Sequence, residues 1–143
     1  MMQIHFYFEG VKKPKDFKVK SFRAWVKIIE EHYPITIKDL SYIFIDDEQL
    51  LEINQKFLQH DTYTDIITFD LSETKDNISG EIYISLDRIK ENAVKFNVLV
   101  LDELLRVVAH GLLHLIGFND KTKKQKDIMT EQENICIELF RTI

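Results

Sequence analysis

Val100-Leu101-Asp102-Glu103-Leu104-Leu105-Arg106-Val107-Val108-Ala109-His110-Gly111-Leu112-Leu113-His114-Leu115-Ile116-Gly117-Phe118-Asn119-Asp120 is the stretch from which the rest of the chain is read. Leu101, Leu104, Leu105, Val108, Leu112, Leu115 and Ile116 recur at helical spacing and cover much of a cylinder, which predicts a buried central helix over 100–116. His110 and His114, four residues apart, lie on one face of it, one turn above each other. Gly117 can end the helix at positive φ and turn the chain back, and Asp120 then arrives where a third ligand would close. Two imidazoles and a carboxylate make a three-point metal site with an open fourth position, the pattern of a catalytic zinc. The alternative is a pair of hydrogen-bonded core histidines, because a polar ring in such a helix must be satisfied by something.

Outward from this helix, strands and helices interleave. Residues 2–8 alternate as a strand and lead into a lysine-rich loop with Pro14. Ser21 is a candidate cap for a helix to about His32, with Phe22, Trp25, Val26, Ile28 and Ile29 on its apolar side and Pro34 stopping it. Residues 35–45 end in a second strand. Asp46 or Asp47 starts a short helix through Leu50, Leu51, Ile53, Asn54 and Phe57. Residues 65–70 and 80–85 read as further strands, and helices are expected over 85–97, 100–116 and 125–141. The expected fold is α/β (α+β): one compact domain over residues 1–143, a small mixed four-stranded sheet, a central metal-binding helix and surrounding helices.

Composition agrees with a single packed domain. The chain has 143 residues, 45% hydrophobic, with 10 Phe and 5 Tyr to fill a core. No stretch has the length and apolarity of a membrane span or leader. The single Cys136 falls in a helical pattern as a buried thiol and suits a reducing cytoplasm. The net charge of −5 argues against nucleic acid as a whole-protein property. Two basic stretches run the other way: Lys12, Lys13, Lys15, Lys18, Lys20, Arg23 and Lys27, and then Lys121, Lys123, Lys124 and Lys126, directly after the metal pattern. Either they are solvated faces or they attract a phosphate-bearing substrate.

The donor set suits one Zn²⁺, and the same set can hold Mn²⁺, Ni²⁺ or Fe²⁺. In metalloproteases a His-Glu-x-x-His helix puts a general-base Glu beside the first ligand. Here that position is Gly111, so the peptidase mechanism lacks its proton acceptor. A metal-dependent hydrolase of another kind is expected.

His110 through Phe118 match the pattern His-Gly-x-Leu-His-Leu-x-Gly-(Tyr/Phe) of the YbeY family, which the sequence resembles over most of its length. Leu51-Glu52-Ile53-Asn54, Thr64-Asp65-Ile66-Ile67-Thr68-Phe69, Gly80-Glu81-Ile82-Tyr83-Ile84-Ser85, and Met129 with Glu133 are similar to further family segments, in the expected order. The resemblance implies a small α/β fold with the metal helix beneath a sheet. It also implies a single-strand-specific, metal-dependent endoribonuclease of small-subunit rRNA 3′-end maturation and ribosome quality control, with RNA and the ribosome as partners.

Two positions depart from the family. Asn119-Asp120 stands where Asp-His is usual, so His110 and His114 carry over directly and Asp120 by position and chemistry. Leu58 stands where the family has an Arg thought to bind the RNA backbone. Arg106, one turn before His110, is the candidate to replace it as a phosphate contact; a salt bridge to Asp102 or Glu103 is the other reading. His60, Thr64, Asp65 and Thr68 either border a cleft or serve loop and strand-edge hydrogen bonds, and Glu133 is either a support for the metal ligands or an exposed helical acid. Set against the nuclease are a ribosome-associated assembly factor with a structural metal and, more remotely, a metallopeptidase.

Overall fold

The structure is a computed structural model that describes residues 2–60 and 62–143. Its elements run β1 (Gln3–Phe8), α1 (Val19–His32), β2 (Thr36–Ile45), α2 (Asp47–Leu58), β3 (Ile66–Asp70), β4 (Asn77–Ser85), α3 (Leu86–Lys95), α4 (Val100–Ile116) and α5 (Lys123–Phe140). The sheet order is β1-β2-β4-β3, with β1, β2 and β4 parallel and β3 antiparallel at one edge. This is the expected α/β arrangement with a four-stranded mixed sheet.

Strand periodicity divides the side chains between two faces. Leu40, Tyr42 and Phe44 of β2 and Ile78, Ile82 and Ile84 of β4 enter the main core with Phe22, Trp25 and Ile29 of α1, Leu104, Val108 and Leu112 of α4, and Met129 and Cys136 of α5. A register shift between Ile37 and Asp39 lets Ile37 and Leu40, an odd number of residues apart, share that face. Ile43, Ile45 and Ile67 point the other way and are covered by Leu50 and Ile53 of α2.

The first helix begins earlier than its polar residues suggest. Its N-cap is Lys18, without a side-chain cap, and Ser21 lies inside the first turn. Phe17 and Phe22 explain the shift: both are fully buried and their rings stack at 4.2 Å, across the N′ and N4 positions of a hydrophobic staple. Burying two phenyl groups, roughly 1.5–3 kcal/mol each, outweighs a serine cap of about 1 kcal/mol. Elsewhere polar capping wins: Asp46 with Gln49 and Thr122 with Gln125 form reciprocal capping boxes that start α2 and α5.

Helix α4 lies directly on β3 and β4. A Cβ at Gly111 would come within 2.9 Å of Ile66 Cδ1 and Ile82 Cγ2, and one at Gly80 within 2.8 Å of Leu115 Cδ1 and the Phe69 carbonyl oxygen. The buried Tyr42 hydroxyl donates to the Val108 carbonyl at 3.3 Å, tying helix to sheet. Gly80→Ala is expected to cost about 1–3 kcal/mol by overpacking, since the Phe69 oxygen is strand backbone and cannot swing aside. Urea denaturation checks this; a wild-type midpoint would show that the helix has room to lift.

Candidate metal centre

The last two turns of α4 bring His110 and His114 to the end of the helix near the start of β3. Their ring centroids are 4.6 Å apart and nearly perpendicular. Gly117 caps the helix at φ +124°, and its N–H and that of Phe118 reach back to the Leu113 carbonyl. Phe118 packs edge-on against Tyr33 at 6.0 Å, and the Thr122 cap holds the far end of the turn. Asp120 is thereby held between two anchored points.

His110 Nε2 lies 3.0 Å from His114 Nε2 and 3.3 Å from Asp120 Oδ2, and His114 Nε2 lies 3.4 Å from that same oxygen. The edge of a tetrahedron around an ion with bonds of about 2.0–2.1 Å is about 3.3–3.4 Å. The triangle therefore has the size of one face of such a site, and the donors fit a divalent ion without rearrangement.

The histidine pair does not rest on itself. His110 Nδ1 lies 2.6 Å from Glu133 Oε2. A carboxylate can only accept, so Nδ1 carries the proton and Nε2 presents its lone pair to the triangle. Glu133 is buried, and its Oε1 accepts from Arg106 Nη1 at 2.8 Å. Burial alone would lower the His110 pKa; the hydrogen bond and charge of Glu133, then the charges of Asp120 and Asp65, reverse this and raise it above the ordinary imidazole value.

Arg106 is placed differently from the expectation. It does not line the cleft into which the triangle opens, and it makes no ion pair within 4.0 Å with Asp102 or Glu103, although its charge acts on Glu103. Its guanidinium binds Glu133 and, through Nη2, Asn134 Oδ1 at 2.8 Å, and it lines a separate depression with Asp102 and Thr130. The partners lie on α5, 27 and 28 residues away, so helical spacing within α4 gave no sign of them. Asn54 was likewise visible only as a motif residue. It is buried, and its Nδ2 donates to the Thr62 carbonyl at 2.7 Å, clamping the loop before β3.

The triangle opens into a cleft of about 600 Å³ lined by Asn54, Leu58, His60, Thr62–Ile67, Thr68, Asp70, Leu115 and the three cluster residues. Asp65 is held above the ordinary carboxylate range chiefly by burial, against the opposing charge of His110. Among the described residues of this lining there is no Lys or Arg, and Leu58 is one of its apolar members. Gly111 faces the sheet and not the cleft, so position 111 has no room for a general-base Glu. Cys136 is buried and its thiol is pushed up to about 11 by burial, as suits a structural residue.

Residues 8–141 match the family described as Endoribonuclease YbeY. The chain belongs to that family. It is similar to the endoribonuclease YbeY of Cytophaga hutchinsonii, 51% identical over 117 residues that make up 82% of each chain. It is also similar to that of Bacteroides thetaiotaomicron, 46% identical over 93% of this chain and 96% of the other. The solution structure of TM1509 from Thermotoga maritima has the same fold, with a TM-score of 0.66 and 33% identity over 96% of this chain and 89% of that one.

Within this YbeY architecture the Arg106–Glu133–His110 chain predicts a dependence of metal affinity on residues that never touch the ion. Glu133→Gln is expected to weaken binding about 10–100-fold with the fold intact, measured by chelator competition, and Arg106→Ala to move it in the same direction. Wild-type affinity in Glu133→Gln would contradict the arrangement.

Proposed function

We propose that the protein is a metal-dependent endoribonuclease that cuts single-stranded RNA in the cytoplasm, its substrate the 3′ region of small-subunit rRNA on the ribosome or its precursor. The observation that carries the reading is the triangle of His110, His114 and Asp120 at the end of an open cleft, in a chain whose family and relatives bear the name endoribonuclease. No described helix is long and apolar enough to cross a membrane.

His110, His114 and Asp120 would hold one divalent ion, Zn²⁺ by the chemistry of the donors. When bound, such an ion supplies Lewis acidity toward a phosphoryl oxygen and toward the attacking hydroxyl. The chain's own groups do the rest. Glu133 fixes the His110 tautomer and Arg106 holds the other Glu133 oxygen. Asp65, Asp70 and Asp120 make the cleft acidic, so a phosphodiester is repelled until a cation offsets them. Lys121, Lys123, Lys124 and Lys126 are exposed after Asp120 in sequence; the first turn of α5 holds no acid, and Lys123 alone of the four has an ion-pair partner, Asp127 at 3.4 Å one turn on. Cations there oppose the helix dipole, a cost offset when the strand's phosphates lie along them.

Asp65 borders the cleft with its pKa raised, chiefly by burial, which makes its carboxylate a stronger base than an ordinary one. As a base it works ionised, so turnover falls as pH drops through its pKa, at higher pH than an ordinary carboxylate would impose. Asp65→Asn is expected to lower kcat about 10²–10⁴-fold with little change in KM and to remove that acid limb. An unaltered pH profile would take Asp65 out of the chemistry.

The reading as a whole is tested by RNA cleavage with wild type and His114→Ala. The enzyme is expected to cut single-stranded RNA and leave a duplex intact. The variant should keep its thermal transition within a few degrees and lose cleavage. Unfolding of His114→Ala, with RNA left uncut by wild type, would favour an assembly factor with a structural metal.

A further inference from the structure

Among the described residues lining the cleft, Tyr63 supplies the only phenyl-type ring, and half of its surface is exposed. An exposed loop tyrosine is ordinarily free to turn; this one is held from two directions. Its hydroxyl donates to Glu48 Oε1 at 2.7 Å, in the first turn of α2. The Arg88 guanidinium carbon lies 5.5 Å from the ring centroid. Arg88 is itself fixed, its Nη2 donating to Asp47 Oδ2 at 2.8 Å, while Asp47 Oδ1 accepts from the buried Ser85 hydroxyl at 2.7 Å. The Asn54–Thr62 bond holds the adjoining backbone.

Two helices and the end of β4 therefore orient a ring that contributes little to either hydrophobic core. The hydrogen bond and charge of Glu48 push its pKa up, so the ring remains a neutral phenol. The attraction between the Arg88 guanidinium and the ring face it covers helps to hold the plane of the ring. The chemistry of the cleft says what would stack there. Its described lining carries acids and no Lys or Arg, so side-chain cations do not hold the strand at that point. A nucleobase needs none: every base has a π-face, and stacking on an aromatic side chain binds single strands with little regard to sequence.

We propose that Tyr63, backed by Arg88, is a nucleobase-stacking subsite that seats one unpaired base of the RNA beside the His110–His114–Asp120 cluster. This rests on the endoribonuclease reading and adds a physical source for its strand preference. A base inside a duplex is stacked on both faces and has none to offer, whereas an unpaired base can lie on the ring.

The test uses the metal-loaded full chain and a fluorescent 2′-O-methyl oligoribonucleotide, followed by anisotropy before cleavage accumulates, with abasic positions moved singly along the strand. Tyr63→Ala is expected to weaken binding of the intact strand about tenfold, and Tyr63→Phe and Tyr63→Trp, which keep a ring over Arg88 but lose the Glu48 bond, to retain most of it. In wild type one abasic position should cost a similar factor, and in Tyr63→Ala that position should cost nothing further. Wild-type affinity in Tyr63→Ala, or an abasic penalty that persists in it, would overturn the stacking subsite while leaving the nuclease reading intact. A wild-type protein that neither binds nor cuts any single strand would overturn the nuclease reading, and the subsite with it. Tyr63 is exposed and outside both cores, so Tyr63→Ala should melt as wild type does, which the buried Trp25 reports by fluorescence.

Discussion

Helix α4 sits so close to β3 and β4 that residue 111 has no space for a side chain, and the candidate site depends on that closeness. Ile66 and Ile82 press on Gly111 from the sheet, Leu115 fills the space left by Gly80, and Tyr42 bonds the helix backbone. A helix seated this way cannot rotate without opening a cavity or forcing a clash, each costing on the order of 1–3 kcal/mol. His110 and His114 consequently leave the helix at a fixed angle to the start of β3, where Asp65 and the Asn54-clamped loop complete the cleft. The third donor is not carried by the helix. Asp120 comes from a turn, and that turn is held by Gly117, Phe118 and the Thr122 cap.

Charge is organised around Glu133. Both oxygens of its buried carboxylate are partnered, one by Arg106 and the other by the Nδ1–H of His110. The pair makes Arg106 part of the support for the metal ligands and withdraws it from the substrate side. The cleft is left with Asp65, Asp70 and Asp120 and with the apolar Leu58. A cation held by the triangle would convert this acidic pocket into one that accepts a phosphodiester, coupling metal occupancy to RNA binding.

What could be read from the residues alone follows from the range of the forces involved. The 100–116 periodicity, the His110–His114 spacing, the Gly117 turn and the strand alternations are local, and they gave the sheet, the central helix and the cluster. Gly111 was legible as an absent base, but its reason, contact with Ile66 and Ile82, lies in the packing of separate elements. Ser21 failed as a cap because the Phe17–Phe22 contact is stronger than its hydrogen bond would be. Long-range pairs were not legible: Arg106 with Glu133 spans 27 residues, and Asp47 with Arg88 spans 41. The Thr122–Gln125 capping box, by contrast, was in plain view and places the start of α5 at Lys123 instead of 125.

The most direct measurement is X-ray absorption at the zinc edge on the zinc-loaded protein. Two imidazole rings with the remainder of the shell oxygen, at about 2.0–2.1 Å, is the result expected of His110, His114 and Asp120. A sulfur scatterer, or a shell with fewer than two imidazoles, would place the ion elsewhere and contradict the site.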